Sequence, residues 1–261
     1  MPFRWPWLAA ALFAAAAVLP AAAQPVPGLY IAGLTGANLQ PETTSSTGTT
    51  EVKTVAGPVG LVALGWRFPQ GIRLEFEGGQ RRNDLDALMG LRTGGGYGAL
   101  GNPSGRTTVT STMLNAVYEA DLRPYGIGVR PYVGGGLGAA TVNYANLQAE
   151  ALFRASTPVG ASCSGCVFIG PGTRNLNGAY RSFALQAIGG LSIDIRAVPG
   201  LEAMVEYRFL EVHNAKVRVT DSIPAFDLTG QVTRGLPNAN HSVLVGLRYA
   251  FGWPRPAPVA Q

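Results

Sequence analysis

The chain is poor in the residues from which most redox and metal sites are assembled. It has two cysteines and two histidines, and lysine occurs only at positions 53 and 216. Four-ligand zinc sites need partners, and beyond the cysteines only His213 and His241 exist to supply them, so no metal site and no cofactor is expected. After Ala23 no stretch of about 18 uninterrupted apolar residues occurs, because charges or Gly/Pro clusters break every candidate. That excludes a membrane-spanning helix in the mature chain. Glycine is plentiful at 35 residues but shows no Gly-X-Y period, which excludes collagen. The net charge of +5 comes almost wholly from arginine. It is scattered, with no basic helix or RNA-reading aromatic motif beside it, so nucleic acid is not an expected partner.

What is present begins at the N-terminus. Arg4 precedes an apolar stretch from Trp5 to Leu19, followed by Ala21-Ala22-Ala23-Gln24. A positive start, a short apolar run and a small-x-small site are the marks of a secretory signal peptide, with cleavage expected after Ala23. The organisation read from the sequence is a signal peptide at 1–23, one domain at 24–251 and a Pro/Ala-rich tail at 252–261.

The mature sequence then runs in period two. Eight segments stand out, at 28–38, 57–68, 71–81, 108–122, 130–142, 181–195, 201–212 and 240–251. In Ile72-Arg73-Leu74-Glu75-Phe76-Glu77 apolar and charged residues swap at every step. Leu201 to Phe209 does the same, Met204 excepted. Successive side chains on a strand point to opposite faces, so each segment has one apolar face and one charged or small face. Short connections at 69–70, 123–129 and 196–200 alternate with long polar ones at 39–56, 82–107, 143–180 and 213–239. Transmembrane barrels have short periplasmic turns and long extracellular loops. The expected fold is therefore all-β, an eight-stranded antiparallel up-and-down transmembrane β-barrel.

The faces sort by charge. The expected lipid-facing set is Ile72, Leu74, Phe76, Leu114, Tyr118, Leu122, Phe183, Leu185, Leu191, Ile193, Leu201, Val205, Tyr207, Phe209, Val243, Val245, Leu247, Tyr249 and Phe251, and it carries no charge. The opposite faces carry Arg67, Arg73, Glu75, Glu77, Glu119, Asp121, Asp194, Glu202, Glu206, Arg208 and Arg248. A charge on the lipid face at mid-depth would cost roughly 2–4 kcal/mol, whereas mixed signs inside can pair. Barrels of this size have interiors barely wide enough for their own side chains. A lumen plugged by an Arg–Glu/Asp network is expected, and the glycines at 134–136, 138, 189 and 190 fit a tightly curved wall.

The final strand, His241 to Phe251, resembles the C-terminal β-signal of outer-membrane proteins, with Gly246 followed by aromatics at Tyr249 and Phe251. Leu244 stands where that signal usually has a polar residue. Together with Gly28-Leu29-Tyr30-Ile31-Ala32-Gly33, Arg130 to Gly138 and Glu206-Tyr207-Arg208-Phe209, it makes residues 28–251 resemble the OmpA-like, porin-family outer-membrane β-barrel. The resemblance implies residence in the outer membrane and contact with its lipids and lipopolysaccharide. It also implies recognition of the last strand by the barrel-assembly machinery. The roles it implies are structural (envelope integrity), surface-antigen or adhesin-like, with at most narrow solute passage; no enzymatic activity is expected of this chain. In OmpA relatives a tail such as 252–261 leads to a peptidoglycan-binding domain, and no such binding is inferred for this sequence.

Three local features invite chemistry. Cys163 and Cys166 have redox-motif spacing but no βαβ context, and in an exported chain a disulfide pinning a loop tip is expected. His241 beside Ser242 suggests a lipid A-modifying hydrolase, but neighbours on a strand face opposite ways. The lumen carboxylates suggest an acid/base pair, which a salt-bridge network explains with fewer assumptions. A narrow porin is the main alternative function. A soluble lipocalin-type barrel, with the apolar residues turned inward, is the other.

Overall fold

A period of two puts all three apolar side chains of Ile72 to Glu77 on one side only in an extended chain. The computed structural model describes residues 28–47, 50–91, 97–122, 128–156, 167–224 and 227–251. The expected signal peptide, Cys163, Cys166 and the tail at 252–261 lie outside the described residues. The strands are β1 (Leu29–Leu39), β2 (Thr43–Thr44), β3 (Thr50–Thr54), β4 (Gly57–Arg67), β5 (Ile72–Leu91), β6 (Tyr97–Ala99) and β7 (Gly101–Glu119). They continue as β8 (Val129–Ser156), β9 (Val167–Asp194), β10 (Leu201–Val212), β11 (Lys216–Ile223), β12 (Leu228–Gly235) and β13 (Asn238–Ala250).

Eight of them close a ring. β1, β4, β5, β7, β8, β9, β10 and β13 pair antiparallel in that order, and β13 returns to β1 from Tyr30↔Ala250 to Leu39↔His241. A closed ring satisfies every ladder hydrogen bond within the protein, which hydrocarbon demands. The apolar side chains face out: Leu74, Phe76, Leu114, Leu185, Val205 and Val245 are each about half exposed, while Arg73, Glu206 and Arg248 are buried. The lipocalin-type arrangement, with these faces exchanged, is thereby overturned. Leu122 falls beyond the end of β7.

The long polar connections are a correction. Expected as loops, they are largely strand: β5 and β7 run 20 and 19 residues, and β8 and β9 run 28 each, against the roughly 9–11 that cross a bilayer. Above the apolar belt the same eight-stranded wall continues. β2 and β3 stand above β1 and β4, with β3 pairing β5, and β11 and β12 stand above β10 and β13, with β11 pairing β9. The upper ring shuts where the Ser46 amide donates to the Gly235 carbonyl at 2.9 Å. Arg234 also reaches Thr47 there.

The strand pattern in these regions escaped notice because the apolar residues change sides. In lower β8 the outward residues include Val133 and Leu137, while Arg130 and Tyr132 point in; higher up, Val142, Tyr144, Leu147 and Ala149 point in, while Asn143, Gln148 and Glu150 point out. The upper ring thus has a dry core, centred on Leu88, Val142, Leu147, Leu176, Val217 and Leu236. Burying side chains of this kind is worth about 1.5–3 kcal/mol each.

A truncation that cuts into this core should loosen the upper ring and spare the lower. Leu147→Ala is expected to cost about 2–5 kcal/mol. Limited proteolysis of the detergent-folded protein should then show faster cleavage between 143 and 177, while the heat-modifiable barrel band persists. Unchanged cleavage would contradict the assignment of a separate upper core.

Candidate functional site in the barrel lumen

Inward-pointing positions of β4, β5, β7, β8, β10 and β13 bring opposite charges together at one end of the lower ring. Glu119 lies within salt-bridge reach of four arginines: Arg67 at 3.1 Å, Arg73 at 2.5 Å, Arg130 at 3.2 Å and Arg248 at 2.7 Å. Glu202 takes Arg67 at 3.0 Å, Arg130 at 2.9 Å and Arg248. Two carboxylates thus gather four guanidiniums, and Asp194 at the mouth adds a bidentate pair with Arg130 at 2.8 and 3.0 Å.

The next level is built on two tyrosine–glycine contacts. Tyr30 lies over Gly65 on the adjoining strand, where an added Cβ would sit 2.2 Å from Cζ of the ring. Tyr132 lies over Gly190 in the same way, at 2.6 Å. Only glycine leaves room for a ring laid flat along the inner wall. Each hydroxyl is thereby aimed at a carboxylate: Tyr30 donates to Glu75 at 2.6 Å and Tyr132 to Glu206 at 2.8 Å. The Arg73 guanidinium stands over the Tyr132 ring at 4.6 Å, a cation–π contact. Above this, Arg208 binds Glu206 at 2.6 Å and also Glu77, which accepts from Asn115 at 2.9 Å.

A layer of amides follows. Asn83 donates to the main-chain carbonyls of Asn38 at 3.0 Å and Val55 at 2.9 Å. These carbonyls stand where β1 gives way to β2 and β3 to β4, so the side chain satisfies groups that the interrupted ladders release. Asn38 donates to Asn83 and Asn240, and Asn240 to Asn238.

A model of the outer membrane protein beta-barrel domain family matches residues 8–251. The chain belongs to this family, and it is an outer-membrane protein. An outer membrane protein of Gluconacetobacter diazotrophicus is 29% identical over 204 residues, which are 75% of this chain and 47% of that one. The chain therefore spans about half the length of that curated relative. Among solved structures, Neisserial surface protein A is 15% identical at a TM-score of 0.48, covering 86% of this chain and 97% of its own. OprG from Pseudomonas aeruginosa is 12% identical at 0.48, covering 87% and 98%. Likenesses this distant carry no argument about activity.

Within this family barrel, the residues expected in the lumen fall into two groups. Arg67, Arg73, Glu75, Glu77, Glu119, Glu202, Glu206, Arg208 and Arg248 come together inside, and Asp194 sits half-exposed at the mouth. Asp121 stands exposed two residues past Glu119, where β7 ends. Sequence reasoning missed Arg81, Arg130, Tyr30 and Tyr132. Parity would have found Arg81 and Arg130, since Arg81 continues the odd-numbered face of Arg73, Glu75 and Glu77 and Arg130 shares a face with Tyr132. Gly246, in the last strand, packs against Leu34, and Tyr249 meets Phe251 edge-on at 5.2 Å. His241 and Ser242 part company: Ser242 points into the lumen and donates to Asn38 at 2.7 Å, while His241 points outward to the Tyr207 hydroxyl at 2.7 Å.

Removing one partner of a buried charge cluster leaves the others uncompensated, at a cost of about 3–5 kcal/mol. Glu119→Gln is expected to lower the unfolding midpoint of the detergent-folded barrel accordingly. Glu42→Gln, which breaks the exposed pair to Lys53, should change stability by about 0–1 kcal/mol. Equal effects from the two would reject a structural role for the cluster.

Proposed function

We propose that this protein is a closed, non-catalytic outer-membrane barrel that displays its upper ring at the cell surface, in a structural, surface-antigen or adhesin-like role. One observation carries the reading. The described interior is filled at successive levels, first by the Arg–Glu cluster, then by the amides, then by the apolar core around Leu147 and Leu176. A solute would have to cross both a dense charge network and a dry plug. The rule of short periplasmic turns puts the connections 68–71 and 195–200 inside and the upper ring outside.

The non-catalytic reading rests on geometry. The one adjacent His–Ser pair is split between the two faces of β13, so Ser242 has no imidazole to take its proton. The lumen carboxylates are each held by arginine, tyrosine or amide donors, which suits a fixed network. The apolar belt is the surface for outer-membrane lipids and lipopolysaccharide. The β13 strand with Gly246, Tyr249 and Phe251 is the segment for the barrel-assembly machinery. Any extracellular partner would meet the polar outer face of the upper ring, around Asn143, Gln148 and Glu150.

Reconstitution into planar bilayers tests closure. The expected record is flat at every voltage, and discrete conductance steps would overturn it in favour of the narrow-porin reading. Lipid A from cells with and without the gene should be identical by mass spectrometry, and a difference in acylation would return the enzyme.

A further inference from the structure

Several cations of the upper ring are matched by a carboxylate: Lys53 by Glu42, Arg106 by Asp84 and Arg174 by Asp221, each at 2.7 Å. Arg181, Lys216 and Arg218 are not. All three are exposed, and none has an ion pair among the described residues.

The ladders bring these three to one place on the outer wall. On β9 the outward side chains run Leu185, Phe183, Arg181 in steps of two. The chain leaving β10 stays beside β9 until the His213 amide donates to the Phe183 carbonyl at 2.9 Å. Asn214 then takes a positive φ of 50°, which Asn tolerates, and β11 resumes the pairing with Arg218 opposite Asn177. By the same register Lys216 is level with Ala179, and Arg181 lies between the levels of His213 and Lys216. Val217 and Val219 point into the apolar core, which turns Lys216 and Arg218 outward together. Neighbouring strands lie about 5 Å apart, so the three long side chains share one patch of wall. Glu211, the exposed carboxylate on this stretch, stands lower, opposite Leu185.

The height of the patch points to its occupant. Exposed Phe183 and Tyr207 mark the upper edge of the apolar belt, where membrane barrels carry an aromatic girdle. A strand rises about 3.3 Å per residue, so Arg181 and the level of Lys216 stand about 7 and 13 Å along the wall above Phe183. That is headgroup height, where basic residues are drawn to anionic lipid and long side chains lean toward it. Unpaired cations directly above exposed Phe183 and Leu185 are complementary to an amphiphile, with acyl chains below and phosphates above. A soluble polyanion would leave the apolar half of the patch unused.

We propose that Arg181, Lys216 and Arg218 form a docking site for the phosphate groups of a phosphorylated lipid of the outer leaflet, held from the side against the wall. The site deepens, and rests on, the reading that the upper ring stands outside the cell.

The two lysines of the chain make the test internal, since Lys216 lies in the patch and Lys53, paired to Glu42, lies outside it. The full chain folded in detergent micelles is treated with an amine-acylating reagent, and both lysines are followed by peptide mass spectrometry. Bis-phosphorylated lipid A added to the micelles should slow acylation of Lys216 saturably and leave Lys53 unchanged. Dephosphorylated lipid A should leave both unchanged. Arg181→Gln combined with Arg218→Gln should weaken the protection by roughly fivefold in apparent affinity for each arginine removed, while Arg106→Gln leaves it as it was. Lys216 left unprotected, or protected equally by the dephosphorylated lipid, overturns the site. Protection by heparin and not by lipid A overturns it too, in favour of an acidic polysaccharide. Micelles have no sidedness, so orientation is read separately: a membrane-impermeant amine reagent on intact cells should label Lys53. Lys53 left unlabelled there removes the exposure of the upper ring, and with it the outer-leaflet source, whatever the micelles show.

Discussion

A strand that leaves hydrocarbon for water has to exchange the face on which it carries its apolar side chains, because lipid rewards them outside and water rewards them inside. The rest of this structure depends on how the chain meets that constraint. It keeps one eight-stranded wall and swaps the residues. In β7, Leu114 and Tyr118 are exposed with Asn115 and Glu119 buried, while nearer the upper ring Val109 is buried with Thr110 exposed. The lower ring is a membrane barrel in its outer face, and the upper ring is a water-soluble barrel in its core.

The interior follows from the same exchange. Once the lower strands have committed their apolar residues to the outside, their inner positions must be filled with what remains. Five glutamates and six arginines share that space with Tyr30, Tyr132, Asn115 and Gln186. Buried pairs of this kind repay their desolvation only where geometry is good and the remaining hydrogen bonds are met. The two tyrosines seated on Gly65 and Gly190 provide that geometry, since each donates to a carboxylate that an arginine of the carboxylate's own strand also reaches, Glu75 with Arg73 and Glu206 with Arg208. The amide layer lies between the Glu119–Glu202 cluster and the apolar core above, while Glu77 and Arg81 border that core directly, paired across β5 and β7 with Met113 and Val109.

The sequence disclosed the lower ring and concealed the upper one for a single reason. Alternation such as Arg73-Leu74-Glu75-Phe76 sets charge against bulk and reads as a strand at sight. Alternation such as Val142-Asn143-Tyr144 is interrupted almost at once by the bulge between Tyr144 and Leu147, where the inward parity changes from even to odd. Interruptions at 40–42, 55–56, 213–215 and 236–237 likewise cut four of the walls into pieces that are short by themselves. Polar composition then made the upper strands look like loops. Arg81 and Arg130 differ from these, because each stands at the end of its segment: Arg81 closes 71–81, and Arg130 opens 130–142, a stretch read for its resemblance to the family. Asp121 shares the odd parity of Glu119 in the sequence, but β7 stops at Glu119 and the alternation of faces stops with it.

The two rings are not independent modules. β5, β7, β8 and β9 pass through both, whereas the other half of the wall is remade at the break by β2, β3, β11 and β12. The lower seam between β1 and β13 is held by a ladder of ten residue pairs. Among the described residues the upper seam directly above it carries the Ser46–Gly235 backbone hydrogen bond and the Arg234–Thr47 contact. Hydrogen bonds such as these are each worth about 0.5–1.5 kcal/mol net, less than the burial of one large apolar side chain. It is the apolar core, which β3, β11 and the chain around Leu236 all contribute to, that draws β12 and the β2–β3 turn together. Closure of the upper ring is therefore a consequence of packing, and it presupposes the lower ring, whose finished wall brings those four short strands to the same level.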